Sequence, residues 1–428
     1  MSPTFASLKV RNYRIYASGS IVSNVGTWMG RVGQDWLVLT QLTDHSSSSL
    51  GLVTGLQFLP FLILAPFTGM IADRFPKRRI MFVTQSFLGL SALSLAVLTL
   101  TGHVQLWHVF LIAFLQGVAT AVDNPARQTF VSEMVPRDRL ANAVALNSAS
   151  FNAGRLIGPG VAGLLIAATS TGWALLVNGL SFGFVLLSLL RLNTRELAPS
   201  PRARGKGQIR QGVAYVRSRP DIMLIMGLVF VLGTFGMNFQ ITTALMATQQ
   251  FHQGPTEYGL LGSVMAIGSL AGALLAARRK MPRLRVLLVA LVGFTVASGL
   301  SAIAPNYELF ALALIPTGLA SLTALTTANA MVQTSVDAQM RGRVMALYMA
   351  IFMGGTPLGA PLIGWIGEVF GARWTIGIGT VAVGLSLVAV AVLLAKRENV
   401  QVTYESHRRP RFSVRVESPT EPAPQAVR

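Results

Sequence analysis

Arg31 and Asp35 stand four residues apart in a largely apolar stretch, a spacing that puts a guanidinium and a carboxylate on one helical face, close enough to pair. At membrane depth each such group costs about 2.5–3.5 kcal/mol on the insertion scale, so it needs a partner or a wet cavity. Asn24, Thr27, Trp28, Gln34 and Trp36 surround the pair and would give a cavity both polar and aromatic groups, which suits an amphipathic organic ligand. Asp35 therefore reads as a proton-coupling carboxylate, its protonation set by Arg31, desolvation and an arriving substrate. The competing reading is a static ion pair that helps helix packing. Asp123 and Arg127 repeat the spacing further along. Arg155 cannot deprotonate, so it is either a contact for a substrate anion or a fixed partner of a carboxylate such as Asp123, and the partner role is preferred. The second half of the chain has no charge near the centre of an apolar block. Its polar candidates are Asn238, Gln240, Thr326, Thr327 and Asn329, with Met349 and Phe352 for adaptable apolar contact. Hydrogen bonding between helices is the commoner role for such groups.

The elements that must position these residues follow from composition. Of 428 residues 52% are hydrophobic and 12% charged, against about 25% charged in an ordinary soluble domain. The apolar residues come in blocks of the roughly 20 that a helix needs to cross about 30 Å of hydrocarbon. Twelve blocks are read, at roughly 14–41, 50–72, 79–101, 105–127, 139–168, 173–192, 221–249, 257–277, 284–304, 307–332, 341–368 and 373–395. The fold class is thus an all-α integral membrane protein, with an N-terminal tail (1–13), a first six-helix unit (14–192), a basic linker (193–220), a second six-helix unit (221–395) and a tail (396–428).

The net charge of +19 would raise the question of nucleic acid, but the basic residues lie in short interruptions between blocks, where they carry topology information. All but four of the 35 Lys and Arg fall on one face, the exceptions being Arg31, Arg127 and Arg155 in spans and Arg373 opposite. By the positive-inside rule that face is cytoplasmic, with both termini. In the linker, Ile209, Val213 and Val216 share one face of a short helix suited to the inner membrane surface. The Arg- and Pro-rich tail is expected to be disordered. No cleavable signal precedes the first block, so the N-terminus is expected to be retained. With no Cys and five scattered His, neither a thiol nor a metal site is expected, and no cofactor is implied. A Walker sequence, a nucleophile–base pattern and a catalytic soluble domain are all missing, which disfavours an enzyme.

A shift of 201 residues aligns Gly117 with Gly318, Gly154 with Gly355, Gly158 with Gly359 and Gly163 with Gly364, together with several Ala, Val, Leu and Phe positions. One gap-free register across two spans and their loop makes the chain two pseudo-symmetric halves. Such duplicated bundles hold substrate near the midplane between the halves and rock one against the other; spans one, four, seven and ten are expected to line that site.

Gly69-Met70-Ile71-Ala72-Asp73-Arg74-Phe75-Pro76-Lys77-Arg78-Arg79 resembles the cytoplasmic signature of the major facilitator superfamily, with Pro76 where Gly is frequent. The resemblance implies that Gly69, Asp73, Arg74, Lys77 and Arg78 form a polar latch that opens as the bundles move. The matching loop from Gly272 to Lys280 lacks the Asp, so that latch is asymmetric. The run from Gly154 to Gly163, with Gly158 and Pro159, is similar to the antiporter motif of exporting members, and implies tight closure of the cytoplasmic half of the pathway. Asp123-Asn124-Pro125-Ala126-Arg127-Gln128 and Val135-Pro136-Arg137-Asp138-Arg139-Leu140 narrow the likeness to the enterobactin exporter-like branch of bacterial efflux proteins. The resemblance covers Phe5 to about Ala395. It implies a monomeric secondary transporter of a bacterial cytoplasmic membrane, exporting drugs, siderophores or secondary metabolites in exchange for protons. An importer of a metabolite, or a scaffold or sensor that moves nothing, are the alternatives.

Overall fold

The computed structural model describes residues 3–198, 208–277, 282–337, 339–397, 400–404 and 412–416. The first half forms α1 (Arg11–Leu37), α2 (Ser47–Arg74), α3 (Lys77–Leu100), α4 (Leu106–Met134), α5 (Arg137–Ala168) and α6 (Thr171–Arg191). The linker holds α7 (Gln208–Arg217). Span seven is composite: α8 (Pro220–Val231) and α9 (Phe239–Leu245) flank a break, with wide π turns at Leu232–Gly236 and Met246–Gln250. The remaining spans are α10 (Pro255–Ala277), α11 (Leu284–Ala302), α12 (Tyr307–Ser335), α13 (Arg341–Phe370) and α14 (Ala372–Arg397).

Eleven of these segments are long and apolar enough to cross a membrane. The twelfth span is α1, 27 residues long but diluted by Arg14, Arg31, Asp35 and many small polar residues. Large apolar side chains such as Val83, Leu90, Val289 and Leu385 are exposed around the perimeter. Only hydrocarbon makes such a surface stable.

Packing within each half is built on close backbone approach. A methyl group added at Gly117 on α4 would meet the Gln57 carbonyl oxygen on α2, and one at Gly318 on α12 would meet that of Met265 on α10. Gly158 on α5 likewise sits on Val25 and Trp28 of α1, and Gly359 on α13 sits on Thr234 of span seven. Small residues are what allow helices to associate this closely in lipid. The two halves thus repeat one arrangement.

The end that carries both chain termini and the opposite, far end differ. At the far end, Gly163 on α5 abuts Pro255 and Thr256 on α10, and Gly364 on α13 abuts Ser47 and Gly51 on α2. Ser263 Oγ donates to the Leu156 carbonyl at 2.5 Å across the same boundary. Glu368 accepts from the Ser48 N–H at 3.1 Å and the Ser46 hydroxyl at 3.3 Å, while Gln249 Nε2 donates to the His45 carbonyl at 2.6 Å. These hydrogen bonds between the halves, with that from Tyr258 to Asp35, lie in the far half or near the middle. The pathway is closed at the far end. The resemblance implied tight packing of the Gly154–Gly163 run in the other half of the pathway; that expectation is corrected, because α5 rises from Arg137 at the terminal end and its glycines fall in its second half.

The α7 helix docks on the second half, with Val216 buried and the Tyr215 hydroxyl donating to Asp337 at 3.1 Å. Beyond α14, Val400–Tyr404 pairs antiparallel with Phe412–Val416, so those ten residues differ from the unstructured tail expected.

Candidate functional site

A cavity of about 70 Å³ lies between the halves, walled by Trp28 and Val32 of α1, Arg155 and Pro159 of α5, Phe239, Gln240 and Thr243 of α9, and Tyr258, Gly262 and Met265 of α10. That is smaller than the usual small-molecule pocket of about 300–1,000 Å³, so a ligand of that class fits here only as the halves part further. Its walls are spans one, five, seven and eight. The expected lining by spans four and ten is therefore corrected: in this closed-far-end arrangement α5 and α10 meet across the boundary and α4 and α12 stand back. Asn329, on α12, is used locally, its Oδ1 accepting from Gln333 Nε2.

The cavity roof faces the far end. There the Tyr258 hydroxyl donates to Asp35 Oδ2 at 3.0 Å, and the Tyr258 ring stacks on Trp36 with centroids 6.2 Å apart and planes 20° apart. Asp35 is buried, so a hydrogen bond to its carboxylate is needed to offset lost hydration. The expected Arg31–Asp35 pair is not made: no Arg31 nitrogen lies within 4.0 Å of a carboxylate oxygen among the described residues. Helical spacing permits that pair, but the phenol from the other half takes the carboxylate instead.

Arg31 turns to aromatic surface. Its guanidinium carbon lies 4.9 Å from the Trp28 centroid and 5.9 Å from that of Phe58, and Arg155 lies 5.7 Å from the Trp28 centroid. Trp28 is itself held edge-on by Phe151, with centroids 5.7 Å apart. Such cation–π contacts are worth about 0.5–2 kcal/mol. The preferred role of Arg155 as partner of Asp123 is overturned, since Asp123 is fully used elsewhere. Its carboxylate accepts from Arg127 Nε at 2.9 Å and from Thr84 Oγ1 at 2.6 Å, away from the cavity. Asp123 and Arg127 thus fasten α4 to α3 and are not brought to the site.

Gln34 is buried on α1 but does not line the cavity. Asn238 caps the break in span seven, donating to the Thr234 carbonyl at 2.7 Å. Of the latch residues, the Gly69 and Asp73 surroundings lie outside what is described. Arg74 is exposed beside Phe75. Lys77 pairs with Glu133 at 2.5 Å and Arg78 Nε donates to the Leu189 carbonyl at 2.8 Å, both within the first half. Tyr258, Phe239, Thr243 and Met265 were not singled out from sequence. A phenol at the start of an apolar block is a usable signal for Tyr258, because a buried hydroxyl requires a partner.

Comparison with known proteins agrees with this architecture. A family model described as "Transmembrane secretion effector" matches residues 2–421. The chain is 26% identical over 392 residues to the staphyloferrin A transporter of Staphylococcus aureus (strain NCTC 8325 / PS 47), covering 89% of this chain and 94% of that protein. It is 24% identical over 375 residues to the enterobactin exporter EntS of Shigella boydii serotype 18 (strain CDC 3083-94 / BS512), covering 86% and 89%. Among solved structures, a POT family transporter in complex with a thioalcohol-conjugated peptide superposes with a TM-score of 0.72 at 13% identity, over 90% of this chain and 96% of that one. A bacterial homologue of the human lysosomal transporter Spinster, inward-facing and unoccupied, gives 0.65 at 16% identity, over 92% and 96%. These structures share the fold.

Proposed function

We propose, from the premise that the chain belongs to the transmembrane secretion effector family of the major facilitator superfamily, that this transporter exports amphipathic small molecules in exchange for protons. Placement of nearly all Lys and Arg at the terminal end supports a cytoplasmic location for both termini in a bacterial cytoplasmic membrane. With that orientation the far end is the outer one, and the closed far end makes this the inward-facing state. The names of the enterobactin exporter and the staphyloferrin A transporter support small-molecule transport, and the former supports export.

The observation that carries the proton-coupled reading is the Asp35–Tyr258 hydrogen bond. It joins the two halves at the roof of the cavity, so it must break when the far end opens. Opening then exposes a carboxylate to the outer, proton-rich side, and protonation there removes the charge that otherwise has to be buried on reclosure. Release of the proton inward restores the acceptor for Tyr258 as substrate enters the adjoining cavity. Proton and substrate thereby share one switch without touching each other.

In proteoliposomes with an imposed pH gradient, Asp35→Asn should abolish gradient-driven accumulation of a fluorescent amphipathic probe while leaving probe exchange across the membrane at zero gradient. Wild-type accumulation by this variant would remove Asp35 from the coupling role. Probe movement only in the inward direction would sink the export reading.

A further inference from the structure

Arg31 and Arg155 both lie over the indole of Trp28, and Arg155 has no counter-ion. Among the described residues neither guanidinium makes a hydrogen bond or lies within 4.0 Å of a carboxylate. Asp123 is taken by Arg127 and Thr84 and Glu133 by Lys77, while Asp35 accepts from the neutral Tyr258 hydroxyl and keeps a through-space attraction for Arg31, one helical turn away. Arg155 has no such acid, and an uncompensated cation at membrane depth is unfavourable, with stacking on Trp28 offsetting only part of that. Arg155 lines the cavity directly, between Trp28 and Pro159. A guanidinium presents its donors as a planar fork that fits a carboxylate or an acidic oxygen pair.

We propose that the transported molecule is an organic anion, whose carboxylate or acidic hydroxyl is held by Arg155 and Arg31 while its flat apolar body lies against Trp28, Phe239 and Met265. This rests on the reading of the cavity as the transport site and names the class of substrate that site takes. Substrate arrival supplies the charge that the chain itself lacks there. The cavity selects by sign of charge: a cation of the same shape would meet two guanidiniums, and a neutral molecule would leave Arg155 unpaired. Once the anion leaves, Arg155 again has only the Trp28 ring beside it, which disfavours closing around an empty site.

Binding to the purified full-length chain in lipid nanodiscs, read by quenching of tryptophan fluorescence, tests this with three probes of one shape: naphthoate, naphthamide and naphthylmethylammonium. Naphthoate should bind about tenfold or more tighter than the amide, with the cation weakest, as expected for a charge-assisted fork. Arg155→Gln and Arg31→Gln should each erase the preference for naphthoate without weakening the amide, and Arg155→Lys should retain part of it. Equal or tighter binding of the amide or the cation overturns the proposal. So does equal weakening of all three probes by the Gln variants, which would mark the arginines as structural, or no naphthoate binding at millimolar concentration by protein whose thermal melt is intact. Parallel transport in proteoliposomes separates this from the export reading. Gradient-driven movement of the cation but not of naphthoate would overturn the anion assignment and leave export standing, whereas naphthoate binding with no transport of any probe would do the reverse.

Discussion

Spans five and eleven make the same two contacts in the two halves, span five on span one through Gly154 and Gly158, span eleven on span seven through Gly355 and Gly359. Yet in the same register, where the first half carries Asp123 and Arg127, the second carries Ala324 and Ala328, both fully buried. Packing has been duplicated and chemistry has not. Close helix approach depends on residues too small to obstruct it, so each copy must keep its glycines. A buried charge depends on particular partners, and one copy suffices. The second half accordingly supplies neutral surface, Phe239, Gln240, Thr243, Tyr258 and Met265, opposite the ionisable residues of the first. Contacts to the ionisable residues of one wall can then be made or broken by moving the other.

The strongest test of equal packing is to fill both glycines. A side chain at Gly158 would meet Val25 and Trp28, and one at Gly359 would meet the Thr234 carbonyl. Overpacking usually costs about 1–3 kcal/mol, and more where backbone cannot give way. Gly158→Leu and Gly359→Leu should therefore each cost about 3 kcal/mol or more and fall by similar amounts in the thermal melt of detergent-solubilised protein. Tolerance of one and collapse of the other would break the equivalence of the halves.

That equivalence was readable in the chain because glycine positions in a fixed offset survive duplication, and the spans because apolar blocks of membrane length are hard to misread. Spacing alone did not separate two pairs of identical i,i+4 geometry. Asp123 and Arg127 do pair, at 2.9 Å, while Asp35 turns from Arg31 to a tyrosine 223 positions away. The difference is set by a neighbour from the other half, which local periodicity does not record. The cavity walls were misassigned for a related reason. Which spans face each other depends on the rocking angle of the halves, so α5 and α10 line the site in this state. The break in span seven had a sign in the sequence, Gly233, Gly236 and Asn238 in close succession, within an otherwise helical block.

The charged pair confined to the first half predicts an asymmetric response. Removing one member of a buried pair leaves the other uncompensated, at a cost of about 3–5 kcal/mol, whereas removing both costs much less. Asp123→Ala should destabilise strongly, because it strands Arg127 and frees the Thr84 hydroxyl. Asp123→Ala with Arg127→Ala recreates the arrangement of Ala324 and Ala328 and should recover more than half of that loss in the same melt. A double variant as unstable as the single one would mean that the first half needs this charge for something beyond fastening α3 to α4.

The smallest effect is expected at the far end, where the halves again differ at equivalent positions. Glu368, on α13, lies across the N-terminus of α2, and its register mate on α5 is Ala167. The α10 helix, which Ala167 would serve, already carries Glu257 in its own first turn. Each helix start thus has an acid beside its positive dipole end, but only the one at α2 comes from the opposite half and ties the far end shut. A carboxylate at a helix N-terminus is worth about 0.3–1 kcal/mol, which corresponds to a shift of about two- to fivefold in a two-state equilibrium. The chain has no Cys, so one cysteine at Thr40, which lines the far-end recess with His45 and His252, reports opening by its rate of labelling with a membrane-impermeant maleimide. Glu368→Gln should raise that rate about two- to fivefold, and Ala167→Glu should leave it unchanged because Glu257 already supplies the charge at α10. An unchanged rate in Glu368→Gln would show that the glycine contacts alone hold the far end closed, and the difference between the two helix starts would then have no bearing on gating.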